Sequence, residues 1–264
     1  MPPRRAAVIG HPVAHSRSPE LFASFPRIRG AFTYEAIDVL PEELAATLAR
    51  WREQPDFIGC NVTLPHKERV LALADRVEPP ADACGAANVL TREDGLLVAG
   101  NTDVAGVAGA LLLNGVELEG ARVAILGAGG AARAVAVAVR LNGAARITVA
   151  ARDPKRAEAF AAAFGTFACG FDDVPVADVY VNATPVGMVG QPQHSLLPGN
   201  APRGATAFDL VYVPEQTPFL IDARARGLRT VSGKAMFLIQ AGATYQRWFG
   251  ATPTFPTSKI TGFV

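Results

Sequence analysis

The sequence predicts an α/β fold built as two successive domains, each with a mostly parallel sheet flanked by helices. Three observations carry that expectation. Short apolar runs alternate with helix-patterned segments along the 264 residues, as parallel strands joined by crossover helices do. In the second half the apolar run Val123–Leu126 stops at Gly127, with Gly129 and Ala132 following at the G-x-G-x-x-A spacing and an Ala/Val-rich helix pattern running to Leu141. About 120 residues precede that turn, enough for a domain of their own.

Each part of the glycine turn has a physical reason. Gly127 permits a tight strand-to-helix turn, Gly129 lets the backbone approach a pyrophosphate, and Ala132 lets the helix lie close on its strand. The helix start, around Gly130 and Ala131, offers free N–H groups and the positive end of a dipole to phosphates. A Rossmann-like, dinucleotide-binding second domain is therefore expected.

The elements follow in order. Ala6–Ile9 reads as a strand, and Ser18 as the cap of a short helix with Pro19 at its first position. Thr33–Val39 reads as a strand and Pro41–Trp51 as an amphipathic helix, with Leu44, Leu48 and Trp51 on one face. A strand over Phe57–Val62 leads to a helix from about Pro65. Ala87–Thr91 and Leu96–Gly100 flank Glu93-Asp94-Gly95, a hairpin signal. Asp103–Leu113 reads as the helix that joins the domains.

The alternation then repeats. After the glycine turn, strand Arg146–Ala150 leads to Asp153-Pro154, an N-cap followed by proline, and a helix from there reaches Phe164, with Gly165 beyond it. Asp178–Asn182 and Thr206–Val211 read as buried strands. Thr217-Pro218 starts a helix that stops at Gly227, Thr230–Ser232 is a short strand, and Lys234–Phe249 is a final amphipathic helix.

Composition narrows the function. Half of the residues are hydrophobic, 19% are charged and the net charge is +1, so no bulk attraction to nucleic acid or to an anionic membrane is expected. Arg133 and Arg140 interrupt the longest apolar stretch, and Ala6–Ile9 after Arg4-Arg5 is too short for a secretory leader. Cys60, Cys84 and Cys169 are odd in number and scattered, which fits buried thiols in a reducing cytoplasm. His11, His15, His66 and His194 lack metal-ligand spacing, so no metal is expected.

Three polar clusters fall at expected strand ends, where open α/β sheets place their ligands. Ser16 and Ser18 put two hydroxyls beside a helix start, which suits a carboxylate or serves as plain capping. Asn61-Val-Thr-Leu-Pro-His-Lys67 follows an apolar strand. Lys67 is expected in the first turn of a helix, where a cation opposes the dipole and therefore marks a functional candidate. Asn88 and Asp103 end the third cluster, Gly85-Ala-Ala-Asn88 to Gly100-Asn-Thr-Asp103.

Together with Asn182-Ala-Thr-Pro-Val-Gly-Met188, Asp209-Leu-Val-Tyr212 and Gly233-x-x-Met236 to Gln240, these blocks resemble the shikimate dehydrogenase family in seven places and in order. The resemblance implies reduction of 3-dehydroshikimate to shikimate with NADPH, on the route to chorismate and the aromatic amino acids. It implies that Ser16 and Ser18 hold the substrate carboxylate. Thr63, Lys67, Asn88, Asp103 and Gln240 would then contact the ring hydroxyls, with Tyr212 near the same site. Lys67 would be the general acid/base, since hydride addition to a ketone builds negative charge on oxygen, and Asp103 would orient it. Gly127, Ala128, Gly129, Gly130, Ala131, Arg152, Arg156 and Gly233 would hold NADP. The implied organisation is a substrate domain over 1–103, a Rossmann-like domain over 104–233 and a terminal helical segment, 234–264, that packs back toward an interdomain active-site cleft. The partner is then a small-molecule substrate, and the protein a monomer or homodimer.

The sequence departs from the family in two places. Family members usually carry N-R-[ST]-x-x-[RK] after the second Rossmann strand, and here it reads Ala151-Arg-Asp-Pro-Lys-Arg156. Arg152 and Arg156 suit a 2′-phosphate, whereas Asp153 is either a helix cap or an acceptor for a ribose hydroxyl, which would favour NAD. The alternative reading is accordingly a quinate/shikimate dehydrogenase that uses NAD. Phe237 stands where the family often has Leu.

Overall fold

The computed structural model describes residues 4–25 and 32–253. Two compact units emerge, Met1–Thr102 together with Gln240–Val264, and Asp103–Ile239. Among the described residues no helix is long and apolar enough to cross a membrane.

The first unit opens with β1 (Arg4–Gly10), α1 (Ser18–Ala23), β2 (Phe32–Asp38), α2 (Leu44–Arg52) and β3 (Phe57–Val62). It continues with β4 (Arg76–Val77), α3 (Ala81–Cys84), β5 (Val89–Glu93) and β6 (Leu96–Gly100). The strand order is β2-β1-β3-β5-β6-β4. β1 runs parallel to β2 and β3, β5 is antiparallel to both neighbours, and β4 is parallel to β6. Asp94 and Gly95 take φ of 50° and 84°, which lets the β5–β6 hairpin close in two residues. Ile9, Leu48, Cys60, Leu90 and Leu97 belong to the core of this unit.

The second unit starts with α4 (Asp103–Leu113), β7 (Arg122–Leu126), α5 (Gly130–Leu141), β8 (Arg146–Ala150), α6 (Pro154–Phe164) and β9 (Phe167–Cys169). β10 (Val179–Asn182), β11 (Thr206–Asp209), α7 (Pro218–Ala225), β12 (Arg229–Val231) and α8 (Gly233–Phe249) follow. All six strands are parallel, in the order β12-β11-β10-β7-β8-β9. This is the doubly wound order, in which the chain reverses direction across the sheet between β7 and β10, and ligands bind at such a reversal. α8 begins in this unit, and from Gln240 onward it belongs to the first. There Trp248 donates its ring N–H to the Leu90 carbonyl at 3.3 Å and packs beside Phe22.

Several local expectations are corrected. Arg17, not Ser18, is the N-cap of α1, and Ser18 is its first residue. Lys67 lies in a turn ahead of a short 3₁₀ helix, Arg69–Leu73, so the dipole argument for it does not hold. The final helix ends at Phe249, and residues 254–264 of the expected terminal segment lie outside the described residues.

Candidate active site

In the first unit, the turn that carries Lys67 is fixed from both sides. The buried His66 ring donates through Nε2 to the Val39 carbonyl at 2.7 Å, and burial lowers its pKa. The Lys67 carbonyl accepts the Ala87 N–H at 2.8 Å. Thr63 donates its N–H to the Ile9 carbonyl at 2.8 Å, tying the ends of β1 and β3. A Cβ on Gly10 would sit 2.5 Å from Thr63 Cγ2, so only glycine allows these two strand ends to approach so closely.

Asn88 is 3% exposed and faces Thr102. It donates through Nδ2 to the Thr102 hydroxyl at 2.9 Å and accepts the Thr102 N–H at 2.7 Å. The Thr102 hydroxyl also reaches Gln240 Oε1 at 3.5 Å and Thr244 Oγ1 at 3.2 Å. Asn61 donates to Thr244 Oγ1 at 3.1 Å and accepts from the Tyr34 hydroxyl at 2.8 Å. Asn88, Thr102 and Gln240 thus form one hydrogen-bonded group, although Gln240 comes from the far end of the chain. Asp103 follows Thr102 directly, is 4% exposed and opens α4.

Ser16 and Ser18 also adjoin, since Ser16 Oγ accepts the Ser18 N–H at 3.3 Å. Sequence reasoning passed over Asn61 and Thr102, which lie inside quoted motifs, and Thr244, which had no local signal.

The second unit holds the glycine loop at the switch between β7 and β10. Gly127 takes φ of +114°, and a Cβ there would sit 3.0 Å from both the Ala183 carbonyl oxygen and Thr184 Cγ2. Gly129 caps α5 with extended backbone, no side chain caps the helix, and the space where a Cβ would point is open. Ala132, in the first turn of α5, is fully buried. The half-buried backbone from Gly129 to Ala131, at the uncapped start of α5, therefore fits a pyrophosphate. Beyond β8, Arg152 and Arg156 are exposed cations suited to a phosphate, and Asp153 Oδ1 accepts the Lys155 N–H at 3.0 Å as the α6 cap.

Gly233 presses on the β11 loop, where a Cβ would come 2.5 Å from the Leu210 carbonyl oxygen. In that loop Tyr212 stacks on Phe237, with centroids 4.3 Å apart and planes 8° apart.

A doubly wound sheet with an open glycine loop, joined in one chain to a unit bearing a lysine and polar side chains at strand ends, fits the class of dinucleotide-dependent enzymes. The comparisons narrow it. Residues 8–90 match the shikimate dehydrogenase substrate binding domain, and residues 110–186 match the shikimate/quinate 5-dehydrogenase domain. The shikimate dehydrogenase (NADP(+)) of Azorhizobium caulinodans is 43% identical over 95% of this chain and 92% of that protein. The Thermus thermophilus shikimate 5-dehydrogenase, solved with NADP(H) and shikimate, superposes with a TM-score of 0.84 at 38% identity, covering 98% of both chains. A shikimate dehydrogenase solved with NADP+ gives a TM-score of 0.89 at 31% identity, covering 99% of this chain and 94% of that one. The chain belongs to the shikimate dehydrogenase family.

Proposed function

We propose that the protein catalyses the reversible NADPH-dependent reduction of 3-dehydroshikimate to shikimate, in the cytoplasm and as a step of chorismate biosynthesis. The match along nearly the whole chain to the Thermus thermophilus enzyme, whose structure holds NADP(H) and shikimate, carries this reading. NADPH supplies the hydride that adds to the ketone carbon. Gly127, Ala128, Gly129, Gly130 and Ala131 hold its pyrophosphate, Arg152 and Arg156 its 2′-phosphate, and Gly233 gives room to the β11 loop beside it.

Ser16 and Ser18 bind the substrate carboxylate through their hydroxyls. Thr63, Asn88 and Gln240 contact the ring hydroxyls, and Tyr212 borders the reacting centre. Lys67 gives a proton to the carbonyl oxygen as the hydride adds, and takes one back in the reverse direction. Asp103 orients the ammonium group. Each turnover consumes one hydride and one proton and converts a ketone to a secondary alcohol.

The test is the initial rate of nicotinamide reduction with shikimate or quinate, each paired with NADP or NAD. Fast turnover confined to shikimate with NADP is expected. Comparable turnover with NAD would make Asp153 a ribose ligand and move the protein to the quinate/shikimate branch.

A further inference from the structure

Asp209 is a fully buried carboxylate at the end of β11, and among the described residues its hydrogen bonds come from three uncharged donors. Its Oδ1 accepts from Asn182 Nδ2 and from the Val211 N–H, both at 2.9 Å. Its Oδ2 accepts from the Thr217 hydroxyl at 2.6 Å. Three donors converge on it, so the position calls for a group that only accepts. An amide offers one oxygen and would turn its NH₂ against a donor. A buried carboxylate held only by uncharged donors is costly.

The donors come from two segments that leave the sheet: Asn182 ends β10, the neighbour of β7 with its glycine loop, and Val211 and Thr217 belong to the loop after β11, one strand further out. Asn182 Oδ1 accepts from the Thr184 N–H at 3.1 Å and from the Thr184 hydroxyl at 2.7 Å. Asn182 Nδ2 also donates to the Val186 carbonyl at 3.1 Å, and the Val186 N–H donates to Thr184 Oγ1 at 3.1 Å. Asn182 therefore shapes the turn over 183–186, and that turn meets Gly127 at the distances given above. Thr217, which caps α7 through the Leu220 N–H at 3.3 Å, closes the loop over 210–217. The two loops also touch, since a Cβ on Gly187 would lie 3.3 Å from Thr217 Cβ.

The geometry points to Asp209 as a positioning residue for the dinucleotide: it holds the turn at 183–186 and the loop at 210–217 in the one arrangement that leaves the glycine loop open to the cofactor. It acts through Asn182 and Thr217 and touches no reacting atom. The inference rests on the proposed NADP-dependent activity.

The experiment is a fluorescence titration of NADPH, without substrate, into wild type, Asp209→Asn, Thr217→Val and Thr217→Ser, with the KM for shikimate measured alongside. Asp209→Asn and Thr217→Val should weaken NADPH at least tenfold, and the KM for shikimate, to which Tyr212 of the 210–217 loop contributes, should change by less than the Kd for NADPH. Thr217→Ser, which restores the hydroxyl, should bind as wild type does. A merely structural role would lower Tm and leave the Kd of the folded protein unchanged, and a Kd within twofold of wild type in folded Thr217→Val overturns the inference. Thr217→Val loses the bond to Asp209 and the α7 cap but leaves the buried carboxylate in place, and it carries the test should Asp209→Asn fail to fold. Failure of wild type to bind NADPH would instead overturn the proposed function.

Discussion

Asp153 Oδ1 accepts the Lys155 N–H at 3.0 Å, which makes the one acidic residue between Arg152 and Arg156 the cap of α6. Its carboxylate still places a negative charge between the two arginines proposed to hold the 2′-phosphate. Asp153→Thr keeps an oxygen for the cap and removes the charge. The KM for NADP should fall about threefold, the size of a contact of under 1 kcal/mol between exposed charges. Asp153→Ala should instead lose about 1 kcal/mol of stability in urea unfolding, because the cap is gone. An unchanged KM for NADP in Asp153→Thr would leave the cap as the whole role of this residue.

Lys67→Ala should lower kcat by about two to four orders of magnitude, the range for loss of a general acid. The KM for shikimate should change little, because Ser16, Ser18 and the Asn88 group remain. Steady-state kinetics in both directions decide it. A surviving kcat would assign the proton to another group.

The Thr102 hydroxyl bonds to Asn88 and lies within reach of Thr244 and Gln240. Thr102→Val keeps the shape and takes one hydrogen-bond partner from the buried Asn88 and Thr244, at a cost of about 1–3 kcal/mol. Chemical denaturation should register that loss, and the KM for shikimate should rise as Asn88 and Gln240 lose their alignment. Thr102→Ser should restore both. A wild-type KM in Thr102→Val would detach this group from substrate binding.

Burial raises the pKa of Asp209 to about 6, against the lowering effect of its hydrogen bonds from Thr217, Val211 and Asn182. The folded protein therefore holds this proton more tightly than the unfolded chain. The resulting stability is fully present below about pH 4 and is lost as the pH rises through about 6. The full span corresponds to about 3 kcal/mol. The stability of wild type minus that of Asp209→Asn, from urea unfolding between pH 4.5 and about 8, should fall with rising pH and level off above about pH 7. A difference that is flat across this range would show that Asp209 does not titrate there.

Legibility followed the range of the forces involved. The α6 boundaries, from Asp153-Pro154 to Gly165, stood in the sequence because a cap oxygen, a proline φ and a left-handed glycine are local preferences. The hairpin at Asp94-Gly95 did so for the same reason. β4 and β9 did not, since strands of two and three residues owe their pairing to a neighbouring strand rather than to a pattern of their own. The helix expected at Lys67 gave way to a turn held by the Val39 carbonyl and the Ala87 N–H, contacts that reach across the sheet.

The sequence by itself determined the α/β alternation, the glycine loop, the order of the polar blocks and the family they resemble. All of these depend on spacing along the chain. The tertiary structure alone decided that Asn61, Thr102 and Thr244 join in one group, and that Asp209 gathers the loops beside the glycine turn. Such groups form because a buried donor or acceptor must find a partner wherever the fold brings one, and in the pairing of Thr102 with Thr244 it lies 142 residues away.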